Sequence, residues 1–246
     1  MENILIHHTF LPPQYTTNKA HFTTKNNIDK WLQYNPNLNL KQRLWFGDEA
    51  ISFLTYFSEK YGYDVLNVYN KEHDGRYKSD ILRLCILYEY GGFYADVDQE
   101  PILPIDRFFD VNNYDFCAAA NMGLHNVSNG FLFARQNSNI IKENIIELIR
   151  TYDNNIPPGG THIMGRVITK LINGEEFKMP LGDILINGER CLFLHEIGDE
   201  SLPSYSPEFF NSFGLYANND TLRVMNSRYV GYGVDKYKMN EYIDLC

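Results

Sequence analysis

The sequence predicts an α/β fold built on a mostly parallel sheet, and three observations carry that expectation. Short apolar runs bounded by turn residues alternate with helical patterns from Ile4 to Tyr94, which is the order of strand–helix–strand units joined by right-handed crossovers. The chain has 246 residues, 44% hydrophobic and 15% aromatic, enough to cover both faces of a sheet. Asp96 and Asp98 directly follow a short apolar run, and ligands of such sheets bind at the carboxyl ends of the strands.

Ile4 to Phe10 reads as a buried strand ending in polar residues. His7, His8 and Thr9 there are either a lip for a nucleotide base or structural. Pro12-Pro13 breaks the chain. Thr24 to Tyr34 is helical by pattern, with Ile28, Trp31 and Leu32 on one face, and it stops before Pro36. Leu40 to Phe46 is a second strand. Asp48 caps a helix through Tyr61, stopped by Gly62, with Ile51, Phe53, Leu54 and Phe57 toward the core. Tyr63 to Tyr69 is a further helix or a strand. Beyond the acidic stretch, Pro101 and Pro104 set an extended loop, and Tyr114 to Ala120 and Gly130 to Ala134 are strands. Ile140 to Ile149 is an amphipathic helix whose core face is Ile141, Ile145, Leu148 and Ile149. Pro157-Pro158-Gly159-Gly160-Thr161-His162 opens a helix through Ile172; such a turn either cradles phosphate or simply starts a helix. Gly182 to Leu194 reads as a hairpin and Leu222 to Tyr232 as a late strand and turn. No repeat or low-complexity linker divides the chain, so residues 1–246 read as one domain.

The stretch the rest is organised around is Ser79 to Glu100, SDILRLCILYEYGGFYADVDQE. Ser79 reads as an N-cap with Asp80 in the first turn. Ile81, Leu84, Cys85 and Tyr88 recur at helical spacing, and Leu82, Ile86 and Leu87 make the helix apolar nearly all round. Gly91-Gly92 ends it, and Phe93-Tyr94-Ala95 returns as a buried strand closed by Asp96-Val97-Asp98. A helix of about eleven residues climbs roughly 16 Å. A strand of four or five residues returns roughly 13–17 Å. Asp80 and Arg83 should therefore lie near Asp96 and Asp98, which alternation puts on one side of the strand. Three carboxylates so placed repel unless a cation joins them, and hard oxygen ligands open to substrate suit Mg²⁺ or Mn²⁺.

This stretch resembles the core signature of the Asp-x-Asp sugar transferases: glycosyltransferase family 32, with the yeast-type initiating mannosyltransferases, and the related glucosylating toxin domains. The matching positions are Ser79, Asp80, Arg83, Leu87, Gly91, Gly92, Tyr94, Asp96 and Asp98. Ile4 to Thr9 resembles the family's opening strand, and Trp31 to Asp48 its Trp, Asn-Pro and Leu-Trp segment. The resemblance implies a GT-A fold and transfer of a sugar from a nucleotide-diphosphate sugar to an acceptor hydroxyl, with retention at the anomeric carbon. It implies that Asp98 ligates Mn²⁺ or Mg²⁺, that Asp96 binds the ribose, the metal or both, and that Asp80 and Arg83 hold the donor sugar. His8, Thr9, Tyr94 and Asn129 complete the expected nucleotide site, although Tyr94 also reads as core and Asn129-Gly130 as turn chemistry. The family's closing pattern, a His or Asn followed by Ser-Trp, lacks its tryptophan here, since Trp31 and Trp45 are both early. Asn226, before Ser227, is the nearest equivalent for the last metal ligand, and His195 the alternative. A UDP-sugar is the favoured donor, with GDP-mannose open. The acceptor is a glycan or another hydroxyl, in surface glycan or polysaccharide synthesis.

Two other classes compete. A phosphohydrolase of the haloacid-dehalogenase type also places Asp-x-Asp after a strand, but carries Thr or Val where this chain has Glu100. A non-catalytic relative that binds nucleotide sugar or carbohydrate fits less well with the intact acidic set. The net charge of -9 argues against a general nucleic-acid binder and against docking on anionic lipid. Four cysteines without a Cys-x-x-Cys pair fit a reducing, cytoplasmic setting. No signal-peptide pattern opens the chain, and no apolar run approaches the ~20 residues that span a bilayer.

Overall fold

A computed structural model describes residues 3–11, 19–121, 126–153, 160–172, 179–198, 214–217, 222–227 and 242–244. Strand β1 (Ile4–Thr9), β2 (Lys19–His21), helix α1 (Phe22–Tyr34), β3 (Leu40–Trp45), α2 (Gly47–Tyr61), α3 (Val65–Lys71) and α4 (Gly75–Tyr90) lead to β4 (Gly92–Ala95) and β5 (Gln99–Pro101). After a 3₁₀ turn at Ile105–Arg107 come β6 (Phe116–Ala120), β7 (Val127–Ala134), α5 (Asn139–Asp153) and α6 (Gly160–Ile172). The chain then forms β8 (Gly182–Ile186), β9 (Glu189–Ile197), β10 (Gly214–Ala217), β11 (Leu222–Ser227) and β12 (Tyr242–Asp244). The segment left open between helix and strand is helical, as α3.

Ten strands form one sheet in the order β3-β1-β4-β7-β6-β9-β10-β11-β5, with β8 beside β9. The α/β class stands, but the sheet is mixed. β1 runs parallel to β3 and β4, and β6 to β9; the other pairs are antiparallel. Strand–helix alternation holds only through β4. Past it the chain also uses tight links, such as the Asn187-Gly188 turn between β8 and β9, both residues at positive φ, and such links join antiparallel strands. β4 and β5 are separated in the chain by Asp96–Asp98 alone, yet in the sheet they stand at different points of the strand order. The sheet must therefore curl, and the Asp-x-Asp turn spans the gap.

Each face carries a core. On one, α4 packs with Leu54 and Phe57 of α2, Ile141 and Ile145 of α5, and Ile163 and Ile168 of α6. On the other, Trp31 of α1 stacks on Phe131 at 5.6 Å between centroids, with Phe93, Phe109 and Phe133 around it. Helix α4 is buried nearly all round, from Ile81 to Tyr88, as its sequence predicts; each such aliphatic side chain contributes about 1.5–3 kcal/mol. Ile51 departs from its expected core position and is 41% exposed.

Two local readings are corrected. α4 begins at Gly75, with Asp74 as N-cap accepting from the Arg76 N–H. Ser79 and Asp80 therefore sit in the second turn rather than the first, and the Ser79 hydroxyl is left for the site. β4 ends at Ala95, and the Asp96 carbonyl accepts the Gln99 N–H at 2.9 Å. A turn rather than strand alternation thus sets where Asp98 lies. The Gly-Gly stop holds as read: Gly91 and Gly92 have φ of 64° and 94°. A Cβ on Gly92 would also collide with the Leu5 carbonyl. Gly92→Ala is expected to lower stability by about 1–3 kcal/mol from backbone strain alone, read as a fall in the urea midpoint.

Candidate active site

The end of β4 fixes the first part of the site. Tyr94 is fully buried, and its hydroxyl donates to Asp96 Oδ1 at 2.6 Å. The Tyr94 hydroxyl oxygen also lies 2.8 Å from Thr9 Oγ1 and 3.1 Å from Ser79 Oγ, and Thr9 and Ser79 bond each other. Arg83, 4% exposed, lies over the Tyr94 ring, 4.5 Å from its centroid. Its guanidinium is 3.2 Å from Asp80 Oδ1 and 3.2 Å from Asp96 Oδ1. It also donates to the Asn129 carbonyl at 2.6 Å and to the Ser79 carbonyl and hydroxyl at 3.2 and 3.1 Å. Five donors in a rigid fork suit one arginine joining two carboxylates and a backbone. The proximity of Asp80 and Arg83 to Asp96, expected from element lengths, is what the chain adopts.

Asp80 is held from three sides. Asn129 Nδ2 donates to Oδ1 at 2.8 Å and the Gly160 N–H to Oδ2 at 3.1 Å, while Arg83 closes the third. Burial raises the Asp80 carboxyl, and Arg83, Asn129 and Gly160 work against that rise. The first N–H of α6 thus faces a carboxylate of the protein itself; Pro157 to Gly159, the rest of that Gly-rich turn, lie outside the described residues. A Cβ on Gly160 would collide with the Asp80 carboxylate and the Asn129 amide. Asn129 reaches Asp80 because the β6–β7 pairing shifts. Cys117 faces Phe133 but Ala119 faces Ser128, so β7 carries extra residues there, and such bulges re-aim side chains.

Asp98 follows in the turn. Burial pushes its carboxyl well above the usual range, the Asp96 charge adds to this, Arg83 works against it, and Glu196 raises it further. Hard oxygens crowded in this way fit a divalent cation by their chemistry. Among the described residues, no three His, Cys, Asp or Glu side chains gather tightly enough to hold a metal ion by themselves. Asn226 lies opposite Glu100 in the β11–β5 pair, and its amide donates to Glu100 Oε2 at 3.2 Å. Glu100 is also paired with Lys30 of α1. Asn226 thus stands beside the strand that follows Asp98, with its amide nitrogen turned to Glu100. His195 is on β9, paired with Ala120 and Tyr216.

The expected base lip is corrected at His8. His8 is fully buried; its Nδ1–H donates to the Ala95 carbonyl at 2.7 Å and its Nε2 accepts from Gln42 at 3.2 Å. Burial holds its pKa down to about 4. Both ring nitrogens are committed, so the ring has none to offer a base, and it anchors the backbone one residue before Asp96. His7 is likewise committed, to the Gly91 carbonyl and the Trp45 indole N–H. Thr9 is 5% exposed and serves Tyr94 and Ser79. Glu196 of β9 is also buried, 5% exposed, and accepts from Ser128 Oγ at 3.1 Å.

Residues 22–115 match the family described as the glycosyltransferase sugar-binding region containing DXD motif. That span holds Asp80, Arg83, Tyr94, Asp96 and Asp98, and it is the signature the sequence resembles. Toxin A of Clostridium novyi is 30% identical over 159 residues, which is 60% of this chain and 6% of that much longer protein. Among solved structures, the PaToxG glycosyltransferase superposes with a TM-score of 0.52 at 15% identity, covering 70% of each chain, and so shares the fold. The UDP-bound glycosyltransferase domain from the YGT toxin gives a TM-score of 0.44 at 11% identity, over 70% of this chain and 68% of that one. No helix among the described residues is long and apolar enough to cross a membrane.

Proposed function

We propose that this chain, whose residues 22–115 carry a glycosyltransferase sugar-binding region, transfers a sugar from a nucleotide-diphosphate sugar to an acceptor hydroxyl with a divalent cation, Mn²⁺ or Mg²⁺, at Asp98. One observation carries the reading: Arg83 joins Asp80 and Asp96 at 3.2 Å each, beside the Asp98 carboxyl. Asp96, locked by Tyr94 and Arg83, presents its other oxygen to the ribose or the cation. Asp80, already oriented by Asn129 and Gly160, accepts from the donor sugar's hydroxyls, and Arg83 places a positive charge between the two carboxylates. Asp98 holds the cation, with Asn226 Oδ1 as a further oxygen. When bound, the cation offsets charge developing on the departing diphosphate.

No side chain is assigned as a nucleophile, in keeping with a retaining transfer in which the leaving phosphate guides the acceptor. A UDP-sugar is the favoured donor, and synthesis of a surface glycan or polysaccharide by a single cytoplasmic domain is the setting that fits. Calorimetry of UDP with the purified chain tests the reading. Replacing Mn²⁺ by a chelator is expected to weaken binding more than about tenfold, at least 1.4 kcal/mol. Equal affinity in both conditions sinks the metal assignment.

A further inference from the structure

Helix α1 packs on β5, and one face of it serves both the core and the Asp-x-Asp turn. Trp31 stacks on Phe131 in the core. Four residues on, Asn35 uses both ends of its amide: Nδ2 donates to the Trp31 carbonyl at 2.8 Å and Oδ1 accepts the Ile105 N–H at 2.6 Å. Four residues before Trp31, Asn27 reaches the turn itself, where its Nδ2 donates to the Val97 carbonyl at 3.4 Å. Lys30 pairs with Glu100. Residues 27, 30 and 31 are neighbours on the helix surface, so a single face of α1 holds positions 97 and 100 on either side of Asp98.

Asn27 is 1% exposed, yet only the donor end of its amide is used. Its Oδ1 is buried and has no hydrogen-bond partner among the described residues. A buried acceptor left in this way costs free energy, and an apolar side chain of the same shape avoids that cost. Stability alone therefore does not favour asparagine here. What the amide contributes is its bond to Val97. The Val97 carbonyl and the Asp98 N–H belong to one planar peptide unit, so a bond to that carbonyl sets the plane from which Asp98 departs. The two preceding planes are held by other elements: the Asp96 N–H donates to the Gly130 carbonyl at 2.7 Å, and the Asp96 carbonyl accepts from the Gln99 N–H at 2.9 Å. The plane that leads into Asp98 is the one tied to α1.

We propose that Asn27 is a positioning residue for the divalent cation at Asp98, acting through the Val97–Asp98 peptide. The inference rests on the metal-dependent reading above. Asn27 acts at one remove from the cation: it fixes the direction in which Asp98 is presented, while Lys30 steadies the start of β5 through Glu100.

UDP is the probe, titrated by calorimetry into the parent chain, Asn27→Leu and Asp98→Asn, in Mn²⁺ and in chelator, beside thermal melts. The quantity read is the gain in UDP affinity that Mn²⁺ brings. Groups that orient metal ligands typically change metal affinity or activity about 10–100-fold. In Asn27→Leu the gain is expected to fall about tenfold, with UDP affinity in chelator unchanged. Its melting temperature is expected at the parent's or above it, because loss of the bond to Val97 is offset by loss of a buried unpaired oxygen. A merely structural asparagine predicts the reverse, a lower melting temperature with the gain intact. An intact gain in Asn27→Leu, with the gain lost in Asp98→Asn, overturns the role of Asn27 and leaves the metal site standing. A parent chain that shows no gain overturns the metal reading and the proposal together. If Asn27→Leu loses its cooperative melt, Asn27→Ala decides: a reduced gain supports the proposal and an intact gain overturns it.

Discussion

Asp98→Asn is expected to cut transfer strongly and to weaken UDP binding in Mn²⁺, while the protein stays folded. The substitution keeps the shape of the side chain and removes its charge. Asp98 lies in the turn between β4 and β5 and is raised by burial, by Asp96 and by Glu196. Its ionised form is therefore disfavoured without a cation, and deleting the charge relieves repulsion in the metal-free protein. The expected pattern is a melting temperature at or above the parent's, with kcat lower by about 10²–10³, the loss that accompanies removal of one group stabilising developing charge. Turnover assays with a nucleotide sugar, beside a thermal melt, check both halves. Parent-like turnover would show that the carboxylates at the end of β4 are not the reacting centre.

Replacing Arg83 should have the opposite signature, with stability falling first. Arg83→Leu leaves the partly buried Asp80 and Asp96 without their shared cation, and it orphans the Asn129 carbonyl that accepts at 2.6 Å. Removing one partner of a buried ion pair costs about 3–5 kcal/mol, enough to unfold a marginal domain. Arg83→Lys keeps the charge but not the fork that reaches two carboxylates, the Ser79 carbonyl and β7 together. It is expected to fold, with a lowered urea midpoint and strongly reduced turnover. Denaturant titration of both variants is the measurement. If Arg83→Leu keeps the parent midpoint, Arg83 does not compensate the two aspartates.

What could be read from the residues follows the range of the interactions that shape them. Helix α4, the Gly91-Gly92 stop and the nearness of Arg83 to Asp96 came from local periodicity and from element lengths. The start of α4 was misplaced because Asp74-Gly75 resembles a turn and Arg76 to Lys78 adds no apolar period. Asp98 was assigned a side by strand alternation, whereas the strand stops at Ala95 and a bond from Gln99 to Asp96 sets the turn. The antiparallel half of the sheet closes through a strand as short as β5, whose partner β11 lies far along the chain. The burial of Glu196 was not legible because a glutamate near a strand end normally faces solvent. Its burial depends on Ala119 and Leu215, neighbours in space only. The sequence left His8 between two roles, and what assigned it was the pair of partners, Ala95 and Gln42, brought by other strands.

The curl of the sheet bears on how the molecule is born. The turn carrying Asp96 and Asp98 emerges from the ribosome well before its partner, since the strand that docks on β5 is β11 and Asn226 meets Glu100 across 126 positions of chain. Contacts so distant in sequence form late, after the loop-closure entropy has been met. A nascent chain ending near Ile197 would hold α4 and β4 in place while β5 still shows an unpaired edge, open to wrong partners. Catalytic competence should therefore wait for β11 to dock on β5, however early the Asp-x-Asp turn is made.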